Sequence, residues 1–310
     1  MPGPIATLLG NHGLCRPGAI TGRAFQPAVK LVRPLPISRP RLPNQGPTFY
    51  PKIMKSVRPD NPFLFQRILG VKFFTGTAEE AVQIGMQGGL VVVPAAPALV
   101  ELQTNAEYRE AIFNADLAIT DSGLMVLAWW LITGRQLTRV SGLQYLKLLF
   151  EIKALQPRES VLWIMPNAAA RNQNLAWLQS QGYDFNENDC YLAPHYPAGN
   201  LHDETLIHLV NERRPRHVVV CLGGGTQERL GLMLKRQCDC HPCIHCIGAA
   251  IGFLTGNQVH IPTWADRFFL GWLFRCFSEP GKFVPRYWKA FQLLPLMIRY
   301  REKAPAVKYS

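Results

Sequence analysis

Short apolar runs alternate with segments of helical periodicity from residue 68 to residue 256. ILGVKFF (68–74), GLVVVP (89–94), the run around Ile119, VLWIMP (161–166) and HVVVCL (217–222) read as strands. PCIHCIG (242–248) adds a short strand in which cysteine acts as a small hydrophobe. Between them lie helical patterns: TAEEAVQIGMQ, PALVEL, AEYREAIFNA, GLMVLAWWLITG, SGLQYLKLLFEIKAL, ARNQNLAWLQSQG, TLIHLVNERR and QERLGLMLKRQ. Thr77 and Glu80 stand at capping-box spacing and mark the first helix start. Strands separated by helices imply a parallel sheet covered by helices on both faces, an α/β fold.

The two ends of the chain differ from this body. The net charge of +12 is unevenly placed. Residues 1–60 hold nine Lys and Arg against the single acid Asp60, and are rich in proline without sustained periodicity. A basic, disordered N-terminal extension is expected there, with a transit peptide or a start at Met54 as two ways to account for it. Residues 61–256 are close to neutral and form the expected catalytic domain. Residues 257–310 hold nine basic against three acidic residues among many aromatics, in WADRFFLGWLFRCF and KFVPRYWKAFQLLPLMIRYREK. This reads as a basic helical C-terminal appendage suited to lie against an anionic membrane surface, or as a helical pair docked on the core with a basic outer face. No apolar run reaches spanning length. No nucleic-acid module is recognised, so no nucleic-acid partner is expected.

Candidate chemistry gathers at two turns. In NADLAITDSGLMVLAWWLITGRQLTRVSG (114–142), Asp121 follows an apolar run and precedes a helix. At the carboxyl end of a parallel strand a carboxylate can face a ligand crevice and act as a base, or simply cap the helix. In HVVVCLGGGTQERLG (217–231), Gly223, Gly224 and Gly225 end a strand just before Gln227 and Glu228. Such a turn lets a phosphate or sugar approach backbone N–H groups, or is only a tight turn. It matches neither the dinucleotide nor the P-loop pattern. CDCHPCIHC (238–246) is dense enough in Cys238, Cys240, Cys243, Cys246, His241 and His245 to hold zinc, but its spacing is not that of paired knuckles. No metal site and no cofactor are expected.

Together these segments resemble the WecG/TagA/CpsF glycosyltransferases, glycosyltransferase family 26. The resemblance rests on Asn114, Ala115, Asp116 and Asp121, on Arg139–Gly142, and on Leu222, Gly223, Gln227 and Glu228. It continues in IGAAIGFLTGNQVHIPTWADR (247–267) and GWLFRCFSEPGKFVPRYW (271–288). It implies inverting transfer of an N-acetylmannosamine-like sugar from a UDP-sugar to a lipid-diphosphate-linked GlcNAc, in cell-surface polysaccharide synthesis at the cytoplasmic face of the membrane. By the same resemblance Asp121 is the base. Arg139, Gly223, Gly224, Gln227, Glu228, Arg275, Lys282 and Arg286 are the expected substrate-binding residues.

The chain departs from the family pattern in three places. Thr120-Asp121-Ser122 replaces a Pro-Asp-Gly turn, Val93-Pro94-Ala95 replaces a polar Thr-x-Asn, and Pro166-Asn167 replaces a glycine. His195 stands near the family's His-Gly-Tyr region. A second reading follows, a catalytically inactive member that binds a nucleotide sugar or an anionic lipid. Homo-oligomerisation stays open.

Overall fold

A computed structural model describes residues 64–156, 161–197, 199, 201–256, 277 and 280–308. The extension expected over 1–60 lies outside these residues, as does Arg275. Eight strands form one sheet: β1 (Phe65–Ile68), β2 (Val71–Phe74), β3 (Gly89–Val92), β4 (Leu117–Ile119), β5 (Val161–Met165), β6 (Cys190–Leu192), β7 (His217–Val220) and β8 (Cys243–Cys246). Their order across the sheet is β1-β2-β4-β3-β8-β7-β5-β6. All neighbours pair in parallel except β1 and β2.

That exception corrects the reading of ILGVKFF as one strand. Leu69 and Gly70 take φ of 52° and 81° and fold the run back on itself as a two-residue hairpin. Positive φ at both central residues matches the right-handed twist of the flanking strands. The edge strand β6 had no sequence signal of its own, because three half-exposed residues carry no apolar run.

The helices divide between the two sheet faces as strand alternation requires. Leu90, Val92, Ala118, Val218, Val220, Ile244 and Cys246 share one core cluster. The helices on that face are α2 (Ala96–Leu99), α3 (Ala106–Phe113), α4 (Gly123–Thr133), α7 (Glu204–Arg213) and α8 (Thr226–Gln237). Val91, Val93, Leu117, Ile119, Trp163 and Val219 face the other way. They pack beneath α1 (Ala78–Gly85), α5 (Gly142–Glu151) and α6 (Ala168–Ser180). The capping box at Thr77 and Glu80 is present in both directions.

Two C-terminal helices, α9 (Pro280–Phe291) and α10 (Leu293–Tyr300), join the first face. α9 packs on α2 and α10 on α4. Ala290, Leu293 and Met297 are buried in that core, and each fully buried Leu or Met contributes roughly 1.5–3 kcal/mol. The chain then runs across the hairpin turn: Leu69 N donates to Arg301 O (2.7 Å) and Gly70 N to Glu302 O (3.1 Å).

Candidate active site

The carboxyl ends of the parallel strands bring the two predicted turns to one edge of the sheet. Asp121 follows β4 and is partly exposed. It does not cap α4. Ser122 does, its hydroxyl accepting from Met125 N at 3.2 Å. Asp121 is instead held by the loop before α5. Its Oδ1 accepts from Gly142 N (3.0 Å), and its backbone carbonyl accepts from Arg139 Nε (2.9 Å). Thr120 and Val140 close the same junction through Val140 N and the Thr120 hydroxyl at 3.3 Å. Asp121 Oδ2 has no hydrogen-bond partner among the described residues. The arrangement fixes the carboxylate while leaving one oxygen available to a proton.

The first half of the NAD-x-x-x-x-D motif serves the fold. Asn114 donates to Glu110 O at the end of α3. Asp116 accepts from Leu90 N (2.7 Å) and pairs with Lys235 (2.7 Å) at the amino end of β4. Gly89 is needed there, since a Cβ would lie 2.3 Å from Asp116 Oδ2. Only Asp121 stands at the ligand edge.

At the glycine turn, Gly225 has a φ of 91°. Its N–H is already taken by Glu228 Oε2 at 2.6 Å, so it offers nothing to a phosphate. Glu228 is fully buried and also accepts from Gln227 Nε2 (3.0 Å). Burial pushes its carboxyl up to about 7, although the hydrogen bonds from Gln227 and Gly225 favour the charged form. Glu228 is thus a support beneath the turn. Gln227 is buried, and its side-chain oxygen Oε1 has no hydrogen-bond partner among the described residues. A Cβ on Gly248 would lie 3.5 Å from that oxygen, which places Gln227 under the segment after β8.

That segment, Gly248–Phe253, is a 3-10 turn linking both halves of the site. Ala250 and Ile247 lie against Gly142, next to Asp121. Ala249, Ile251 and Gly252 line a cleft of about 330 Å³ with Asn167, Gln173 and Asn174 of the β5–α6 junction. In the sequence Asn167 stands out only as a departure from the family pattern, and Gln173, Asn174 and Ala249 carry no motif that would mark them. The signal available was the N-cap: Asn167 accepts from Ala170 N and starts α6 at a strand's carboxyl end.

The remaining predicted residues are less integrated. Arg286 is exposed on α9, and no hydrogen bond or ion pair joins it to Asp121 or to the glycine turn among the described residues. Lys282 belongs to α9, but its side chain lies outside the description. His195 is exposed in the loop after β6. Next to it, Tyr196 donates to Asp203 (2.6 Å), the cap of α7.

The cysteine-rich stretch does not gather as a unit. Parallel register sets Cys243 beside His217 and places His245 next along β8, so three possible metal donors lie within 4.8 Å of one another, all buried. The two imidazoles are already joined, His217 Nδ1 to His245 Nε2 at 3.1 Å, and Tyr145 Oη meets His245 Nδ1 at 3.0 Å. Burial lowers the pKa of both, His217 to about 4, which keeps the rings neutral. This is a buried hydrogen-bonded chain between β7, β8 and α5.

Fold and edge together define an α/β protein with a cleft at the carboxyl side of a parallel sheet and, at the same edge though not in the lining of that cleft, an anchored carboxylate. The chain matches the glycosyl transferase WecG/TagA/CpsF family over residues 66–306, most of its length, and belongs to that family. It is therefore a glycosyltransferase of cell-surface polysaccharide synthesis. A comparison with curated proteins gave no match.

Proposed function

We propose that the protein is an inverting glycosyltransferase that moves an N-acetylmannosamine-like sugar from a UDP-sugar to a lipid-diphosphate-linked GlcNAc, working peripherally at the inner face of the cell membrane. Asp121 takes the proton of the acceptor hydroxyl as that oxygen attacks the anomeric carbon, and the bond to the UDP oxygen breaks on the opposite side. The observation that carries this reading is the release of Asp121 from capping. Ser122 does that work, and among the described residues Asp121 keeps one carboxylate oxygen without a partner while Gly142 and Arg139 fix its position.

The charge on departing UDP needs preorganised donors. Gly223 and Gly224 in the turn after β7, Gln227 in the first turn of α8 and Arg139 in the neighbouring loop are the residues assigned to that role. Arg275, Lys282 and Arg286 are the cations assigned to the acceptor diphosphate, and arginine suits phosphate through its fork.

Asp121→Asn tests the base. Turnover, read as UDP release, should fall roughly 10²–10⁴-fold, with the melting temperature within a degree or so. Ser122→Ala should do the reverse, costing about 1 kcal/mol of stability and little activity. Parent-like turnover in Asp121→Asn would remove the base assignment. The rival, an inactive member, draws on the apolar Val93-Pro94-Ala95 after β3, where no side chain caps α2. It predicts UDP-sugar binding with no turnover in the parent protein.

A further inference from the structure

α4 carries no charged residue along GLMVLAWWLIT. Its inner side, Met125, Ala128 and Trp129, lies in the core. Its outer side is uncovered: Leu127 is 37% exposed, Trp130 45% and Leu131 69%. Positions three and four apart adjoin on a helix, so these form one ridge. α10 packs beside α4 and leaves a further apolar side chain, Ile298, 60% exposed. A helix that is apolar all round is normally buried, and a contiguous exposed patch marks an interaction face.

We infer that this ridge, with Ile298, is a membrane-contact face that enters the headgroup boundary of an anionic bilayer. The inference rests on the reading of the acceptor as lipid-linked and extends it to a helix outside the C-terminal appendage. The rim selects the occupant. Arg135 follows α4, and Arg299, Arg301 and Lys303 are exposed around the end of α10. Glu302, the acid among them, is paired with Arg135 at 2.9 Å. A basic rim around an apolar ridge matches lipid phosphates above acyl chains. A second copy docked through a two-fold axis would set these cations against each other.

Trp130 has the side chain favoured at the water–lipid boundary. α4 has 11 residues, about 16 Å of helix against a hydrocarbon core of ~30 Å. No helix among the described residues is long and apolar enough to cross a membrane. The ridge must therefore lie in the plane of the surface.

The test uses the full chain with vesicles of three parts phosphatidylcholine to one part phosphatidylglycerol. Leu131→Glu and Trp130→Glu should each lower the vesicle-bound fraction about tenfold, leave the melting temperature unchanged, and spare transfer to a short-chain, water-soluble acceptor. Transfer to a long-chain acceptor embedded in the vesicles should fall with binding. Equal co-sedimentation of parent and variants would overturn the inference, and so would a parent that ignores these vesicles. A parent dimer that dissociates in Leu131→Glu with vesicle binding intact would assign the ridge to a second copy instead. A parent that binds vesicles through the ridge yet transfers no sugar to either acceptor would sink the activity reading and uphold this one.

Discussion

At the scale of single residues, neighbours of similar chemistry divide the work by position. Asp121 and Ser122 are both good helix caps, so their order in the chain did not say which one caps. Packing of the 138–142 loop over β4 decided it by drawing Asp121 towards Gly142. Glu228 makes the same point with its charge. Its folded pKa of about 7 lies above its ordinary 4.5, so the folded state holds the proton more tightly than the unfolded state. Its favourable contribution is complete below pH 4.5 and is lost as pH rises through 7. Glu228→Gln should remove that dependence and gain stability relative to the parent above pH 7, on the order of 3 kcal/mol at most. With the Gln227 amide turned over, the new amide can donate to Gln227 Oε1, which lacks a partner among the described residues. Urea midpoints of the two proteins at pH 5 and pH 8 check this. A parent-to-variant difference that does not change with pH would count against a protonated Glu228.

At the scale of elements, most helices and strands were legible because each carries its own period, and the capping box at Thr77 is local. The β1–β2 hairpin was not, since its turn sits inside an unbroken apolar run and only the φ values of Leu69 and Gly70 reveal it. Close approach between elements is likewise invisible in a pattern. Gly231 lies in α8 where a Cβ would stand 2.5 Å from Leu90 Cδ1 and 2.8 Å from Cys246 Sγ. Alanine is the better helix former by about 1 kcal/mol, yet overpacking a tight core costs typically 1–3 kcal/mol. Gly231→Ala should therefore lose about 1 kcal/mol net, read as a lower denaturant midpoint at unchanged slope.

At the scale of the molecule, the C-terminal segment is part of the body. α10 contributes Leu293 and Met297 to the core. The residues after it bind the hairpin turn and the α3 region: Arg109 Nη1 donates to Pro305 O (2.7 Å) and Lys308 N to Gln103 O (2.8 Å). Removing everything after Gly256 would strip core residues, so membrane roles are better probed by surface substitution. Ending the chain after Tyr300 should cost roughly 1–3 kcal/mol, the hydrogen bonds that Leu69, Gly70, Gln103, Arg109 and Arg135 make to residues 301–308 less the entropy regained by the freed residues. Thermal unfolding at a parent-like temperature would mean that the segment is not held in solution.

The order of residues along this chain determined the alternation of strands and helices, the α/β class and the place of Asp121 at a strand's carboxyl end, because periodicity and caps act over a few residues. Tertiary structure decided the rest. It parted Asp121 from the capping role, drew His217 beside Cys243 and His245, formed the cleft between the β5–α6 junction and the turn after β8, and left one side of α4 bare. The first three join segments far apart in the chain, and only parallel register and helix packing bring them into contact.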